Sequence, residues 1–434
     1  MKVLLISLYE LGRQPFGVAS AAAWLQRAGH DAACADLAIE ALDEDAVRRA
    51  ELIAFYLPMH TATRLAGGMI PKVKRINPAA RLCCFGLYAP LNERYLRSLG
   101  VENIIGGEFE AALAALPDRG STIVPLDKLQ FIPPDRSSLP ALSSYAQLQV
   151  NATAKVAGYT EATRGCKHLC RHCPIVPVYN GAFRVVQQDV VLEDIRRQVA
   201  AGAQHITFGD PDFFNAPTHA RRIVEAFHRE FPTLTFDATI KIEHLLRQRD
   251  LLPVLKESGC LFVTSAVESI DDAVLEKLDK RHTRADFIEA VGLLRSAGLT
   301  LAPTFIAFTP WTTRESYREL LSLIAELDLV PNVAPVQLAL RLLITAGSRL
   351  LELEDIQRVI EGYDEQALVY RWRHPDAAMD RMAAQALRIA GKKIERADAF
   401  LALWRLATDD PPPFENIGLL PRAAIPYMNE PWYC

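Results

Sequence analysis

Three cysteines, Cys166, Cys170 and Cys173, fall within the stretch RGCKHLCRHCP (164–174) with the spacing C-x3-C-x2-C. His168 and His172 are interleaved with them, and the next cysteine along the chain is Cys260. Three soft thiolates this close together make one metal-binding loop, one ligand short of a closed tetrahedral site. When only three thiolates hold a cubane iron–sulfur cluster, one iron has no protein ligand and is free to take another molecule. An open position of that kind separates a reactive metal site from a structural one. The competing reading is a non-catalytic zinc- or iron-binding scaffold, completed by His168 or His172. Structural zinc sites draw ligands from two separated knuckles, and this loop has no second knuckle.

The elements around the loop must hold it rigid. Residues 1–118 alternate short apolar runs (KVLLISL, HDAACADL, ELIAFYLP, ARLCCFG, VENIIGG) with amphipathic stretches. That alternation predicts a parallel sheet covered on both faces, an open doubly wound, Rossmann-like domain. Residues 119–152, rich in Pro and Ser from 126 onward, read as a linker. From 153 to 349 strand-like segments recur at 158–164, 205–210, 234–241, 260–269, 299–308 and 333–343, with amphipathic helices between them. Six βα units predict a partial (β/α)6 barrel of the TIM type, with reactive groups at the C-terminal strand ends. The cysteine loop follows the first of these strands. Residues 350–434 read as a helical extension with a Pro-rich, aromatic tail.

Composition narrows the function. Among 434 residues, Lys and Arg (48) do not exceed Asp and Glu (52), and no basic run appears, so no nucleic-acid partner is expected. The opening MKVLLISLYE is too short an apolar run for a signal peptide or a membrane span, so the expectation is a cytoplasmic protein without a membrane partner. Eight cysteines in such a chain point to metal or redox chemistry. Cys34, Cys83, Cys84 and Cys260 lie in or beside apolar strands and read as core residues.

The loop and its setting resemble the radical S-adenosylmethionine (radical SAM) superfamily, and GCKHLCRHCPIVPVYNGAFR is similar in detail to its methylthiotransferase and cobalamin-type branch. The resemblance implies a [4Fe–4S] cluster on Cys166, Cys170 and Cys173, whose unique iron chelates SAM. It also implies a flavodoxin- or ferredoxin-type electron donor. His172 departs from the aromatic residue that the family usually has before its last cysteine. In FGDPDF the resemblance implicates Gly209 and Asp210 in binding the SAM amino group; ordinary N-capping is the alternative for Asp210 and Asp212. In ATIKIEH the expectation is that Lys241 and Glu243 share one face of the third strand and take catalytic roles. Glu268 is similar to the family residue on the ribose hydroxyls, Arg341 is placed to pair with the SAM carboxylate, and Gly347 resembles the Gly-turn beside the adenine.

Residues 1–118 resemble the cobalamin-binding domain that precedes many such barrels. A cobalt-ligating His is expected after the first strand, but YELGRQPFG has none, and Leu87 and Tyr88 would crowd the corrin face. His60 reads as a satisfied surface histidine. The reading is a retained scaffold without its cofactor, with a cobalamin-dependent radical methyltransferase as the alternative. The ending YMNEPWYC resembles the radical SAM proteins named for a Cys-Sec-Ala-Glu-Pro or Cys-Cys-Ala-Glu-Pro tail. In that family a cysteine at the place of Cys434 is followed by selenocysteine or cysteine, so the resemblance implies a reactive Cys434 and a chain continuing beyond it. The expected activity is modification of a small molecule in secondary metabolism. A further alternative is transfer of the 3-amino-3-carboxypropyl group of SAM to trivalent arsenic, as in arsinothricin biosynthesis.

Overall fold

In a computed structural model that describes residues 1–115, 118–150, 153–392, 394–412 and 427–428, the N-terminal apolar runs pair side by side. They form β1 (Lys2–Ser7), β2 (Asp31–Asp36), β3 (Leu52–Tyr56), β4 (Arg81–Phe85) and β5 (Asn103–Ile105), and β6 (Thr122–Ile123) joins from the expected linker. All pairings are parallel, in the order β2-β1-β3-β4-β5-β6. Alternate residues of β3 point to opposite faces. Ile53 and Phe55 enter one core with Cys84, while Ala54 and Tyr56 enter the other with Cys34 and Cys83. The three cysteines are core residues, as expected. Strand order reverses between β1 and β3, the position where open α/β sheets bind ligands.

The second sheet curls into a half-barrel. Its strands are β7 (Gln147–Val150), β8 (Thr153–Thr160), β11 (His205–Phe208), β12 (Thr235–Thr239), β13 (Cys260–Glu268), β14 (Thr300–Phe305) and β17 (Tyr427–Met428). Between β8 and β11 lie β9 (Thr163–Gly165) and β10 (Phe183–Val185), which pair with each other. The large sheet runs β14-β13-β12-β11-β8-β7-β17, parallel from β14 to β8 and antiparallel beyond. Cys260 packs in its core.

Three expectations need correction. The sixth strand, expected at 333–343, is replaced by 3-10 turns at Val330–Asn332 and Pro335–Leu338 and one parallel bridge, Phe308 to Arg341. Pro335 removes a ladder donor there. The expected linker supplies β6 to the first sheet and β7 to the second. The helical extension also contains an antiparallel hairpin, β15 (Ile360–Asp364) with β16 (Val369–Trp372), before helices Ala377–Ala390 and Arg396–Ala407. Those helices cover the barrel core through Met382, Ala386, Phe400 and Leu403. No described helix is long and apolar enough to cross a membrane. Cys434 lies outside the described residues.

Candidate active site

The cysteine loop leaves the sheet at Gly165 and returns at Phe183, and the β9–β10 pairing closes its base. Gly165 has φ +70°, and a Cβ there would lie 2.4 Å from the Tyr179 ring and 2.6 Å from the Ala182 carbonyl oxygen. Only glycine permits that conformation at that distance. Asn215, in the turn after β11, donates to the Gly165 carbonyl and accepts from the Lys167 amide, with its Oδ1 3.8 Å from Cys166 Sγ. On the far side, Arg171 donates to the Glu276 and Lys277 carbonyls, and Ser348 donates to the Arg171 carbonyl.

Cys166 and Cys170 are buried and Cys173 is half-buried. Burial, reinforced by the Cys170 sulfur, pushes the Cys173 thiol up to about 12, and burial also raises Cys166. Such thiols ionise when cationic metal compensates the charge. The donor set therefore fits a thiolate-ligated cluster better than it fits free nucleophiles.

Glu268 ends β13 with φ +68°, a left-handed conformation that is uncommon for a side-chain-bearing residue. Its Oε1 lies 3.2 Å from His172 Nε2 and 3.4 Å from Lys280 Nζ. Burial alone would raise its pKa, but Lys280 and His172 hold it down to about 2. Glu268 is therefore an ionised, buried carboxylate beside the loop. His172, in place of the expected aromatic ring, ties that loop to β13.

Lys241 and Glu243 do not lie on a strand as expected. The strand ends at Thr239, Lys241 caps the helix Ile242–Arg247, and Glu243 sits in its first turn. The i, i+2 spacing still brings Lys241 Nζ to 3.8 Å from Glu243 Oε2, because the turn folds the pair together. Lys241 Nζ is also 3.8 Å from Cys170 Sγ.

Asp210 is buried, and its carboxylate accepts from the Ala162 amide and, at 2.5 Å, from the Thr163 hydroxyl. Burial raises its pKa to about 6, against those hydrogen bonds. The side chain braces the entry to the cysteine loop; Asp212, not Asp210, caps the next turn through Phe214 N. Gly209 makes room for Tyr159, whose hydroxyl would lie 1.9 Å from a Cβ there. Arg341 is paired with Asp380 at 2.7 Å, donates to the Trp372 carbonyl and lies over the Trp372 ring. No sixth strand carries it, and in this structure its guanidinium is held by Asp380 and the C-terminal hairpin. Gly347 has φ +75° and faces Pro177 of the cysteine loop and Leu91.

Sequence reading missed Asn215, Lys280 and His244. Asn215 and Lys280 carry no local signal. His244 closes KIEH, and its spacing from Lys241 was the available clue.

At the edge of the N-terminal sheet the reversal between β1 and β3 is filled. The Tyr56 ring presses on Gly17, where a Cβ would lie 2.1 Å from its Cζ, and packs with Phe85 and Phe109. Tyr88 is buried. His60 Nε2 lies 2.7 Å from the Ala367 carbonyl oxygen, so this histidine has a backbone partner. Aromatic rings thus occupy the described part of this edge, and none of its described histidines lies in the loop after β1.

A family model for the Radical SAM superfamily matches residues 160–324. Hopanoid C-3 methylase of Methylococcus capsulatus is 26% identical over 347 residues, which cover 74% of this chain and 66% of that protein. Ribosomal protein uS12 methylthiotransferase of Geobacter sulfurreducens is 26% identical over 192 residues, covering 41% of this chain and 42% of that protein. The chain thus spans between about two fifths and two thirds of the curated relatives it matches. Among solved structures, the cobalamin-dependent S-adenosylmethionine radical enzyme OxsB with aqua-cobalamin bound superposes with a TM-score of 0.68 at 12% identity. That match covers 89% of this chain and 66% of OxsB. The radical S-adenosylmethionine methyltransferase TsrM from Kitasatospora setae, with cobalamin and a [4Fe-4S] cluster bound, gives 0.63 at 14% identity, covering 90% and 91%. At these identities the likeness is one of fold.

Proposed function

We propose that this radical SAM enzyme, with its superfamily domain over residues 160–324, cleaves SAM reductively to modify a small molecule and does so without a corrin. The observation that carries the reading is the setting of the three thiols. They sit in a loop closed at its base, and groups from the turns after β11, β12 and β13 converge on it. Cys166, Cys170 and Cys173 would hold three irons of a [4Fe–4S] cluster, leaving the fourth for the amino and carboxylate groups of SAM. The chemistry such a cluster supplies is one-electron reduction of a sulfonium carbon–sulfur bond.

The rest is work for the chain's own groups. Glu268, ionised and held by Lys280 and His172, is placed to accept hydrogen bonds from ribose hydroxyls. Lys241 Nζ lies 3.8 Å from the Cys170 sulfur and is placed to donate to it. Asp210 and Asn215 fix the backbone on either side of the loop's first turn and so hold the thiols in place. Gly347 lets the chain pass close to Pro177. Near-neutral net charge favours a small-molecule substrate over nucleic acid. The electron source proposed is a flavodoxin- or ferredoxin-type donor.

The filled reversal at Tyr56 supports the corrin-free reading, although the solved neighbours named above hold cobalamin. Anaerobically reconstituted protein should convert SAM to reductive cleavage products with dithionite. Cys166→Ala, Cys170→Ala or Cys173→Ala should each abolish iron retention and cleavage together. A triple variant that keeps its iron and sulfide would overturn the proposal.

A further inference from the structure

Next to the cysteine loop is a second set of ligand-type side chains that the proposed chemistry does not use. His168 lies between Cys166 and Cys170, Asp212 opens the turn after β11, and His244 lies on the helix after β12. All three are buried, at 5%, 0% and 1% exposure. Their donor atoms lie within 4.8 Å of one another. Asp212 Oδ1 is already committed to the Phe214 and Lys241 amides, which fixes the other oxygen in place. That Oδ2 is 2.5 Å from His244 Nδ1 and 3.6 Å from His168 Nε2. None of these three atoms has a hydrogen-bond partner of acceptable geometry.

Buried polar atoms without partners carry an uncompensated desolvation penalty, larger when charged. Here three of them crowd one point, with no hydrogen in line between the closest two. A cation shared by all three removes the penalty at once. We infer that His168, Asp212 and His244 bind a divalent first-row metal ion, separate from the cluster, in the packed space between the cysteine loop and the turns after β11 and β12. Ligand atoms each about 2.1 Å from one ion stand roughly 3–3.5 Å apart, so the observed 2.5 and 3.6 Å separations bracket that spacing and a bound ion would open the closer pair slightly. Two imidazoles and one carboxylate select zinc or ferrous iron over calcium or magnesium. His168 Nδ1 faces Glu243 Oε2 at 3.6 Å, the arrangement in which a carboxylate orients a metal-bound histidine through its other nitrogen. Glu243 is in turn 3.8 Å from Lys241. The ion would pin the segment between Cys166 and Cys170 to two strand ends, which makes Glu243 a positioning residue.

Zinc bound at this site and iron bound by the cysteine loop are counted separately. Holoprotein with a full complement of iron and sulfide is dialysed against EDTA, exposed to Zn2+ and desalted, and its metals are counted. Wild type should retain one zinc per chain beyond the cluster iron. The double variant Asp212→Asn/His244→Ala should lose that zinc while keeping its iron and sulfide. Glu243→Gln should weaken zinc binding about 10- to 100-fold. Zinc X-ray absorption on the wild type reports the ligands without any variant: imidazole nitrogen and carboxylate oxygen support the site. A sulfur shell, no zinc uptake by wild type, or full zinc retention in the double variant would each overturn it.

Discussion

The N-terminal sheet and the parallel part of the barrel sheet finish their C-terminal edges in different ways. The edge of the N-terminal sheet is closed by rings: Tyr56 on Gly17, with Phe85 and Phe109 behind it. The edge of the barrel sheet is polar, with Asn215, Asp212, Lys241, Glu268 and Lys280 buried or half-buried around a cysteine loop. Parallel architecture offers a ligand position at both edges. Side-chain chemistry decides which one is used. An edge packed with aromatic surface gains burial energy and loses its crevice, whereas an edge holding buried charge is costly until a ligand or counter-ion arrives.

The largest effect should come from the polar edge. Lys280→Met leaves the buried Glu268 carboxylate with only His172, and breaking such a pair costs about 3–5 kcal/mol. Denaturant unfolding should show that loss, and SAM binding should weaken with it. A midpoint unchanged from wild type would mean that the barrel edge does not store charge as described.

Truncation at the sealed edge should act through packing alone. Tyr56→Ala removes a buried ring and should cost about 3 kcal/mol, leaving the cluster's iron content unchanged. Titration of the wild type with hydroxocobalamin should give no stoichiometric corrin absorbance. Tight corrin uptake would erase the contrast between the edges.

The pH dependence should show two glutamates acting with opposite sign, and within any one pH unit their effect is the smallest of the three. Glu268 is depressed from 4.5 to about 2, so its contribution is fully present above pH 4.5 and is lost as pH falls through 2. Glu161, facing the N-terminal domain, is raised by burial to about 7 despite Arg164. Between about 4.5 and 7 the folded chain keeps a proton that the unfolded chain has released, so stability falls as pH rises through that window. Glu161→Gln should flatten the slope there by up to about 1.4 kcal/mol per pH unit. Unfolding midpoints measured from pH 5 to 8 check it, and an unchanged slope in the variant would remove Glu161 from the account.

The cysteine loop was legible because its three ligands are contiguous, and the strands were legible because a doubly covered sheet demands unbroken apolar runs. Lys241 and Glu243 were found but placed on the wrong element, since their apolar-polar alternation continues past the strand end into a capped helix. Asn215 and Lys280 act across separations of about fifty and twelve residues from their partners at Cys166 and Glu268. Nothing local marks such residues. Asp210 and Arg341 each have protein partners whose approach depends on tertiary packing and leaves no local mark. The missing sixth strand follows the same rule: its apolar pattern is strand-like, but Pro335 removes a ladder donor within it.

Arg164 stands two residues before Cys166, and most of its counter-charge comes from the other domain. It contacts Glu110 at 2.5 Å and Glu108 at 3.3 Å, with Glu161 at 2.8 Å from its own side. Tyr179, inside the cysteine loop, donates to Glu108 as well. A gene truncated to its barrel would therefore strand a guanidinium in the foundation of its metal loop. Deleting the N-terminal domain would remove two of the three acids that balance that cation. Charge neutrality alone gives selection a reason to keep the domain, whether or not it ever carries a ligand of its own.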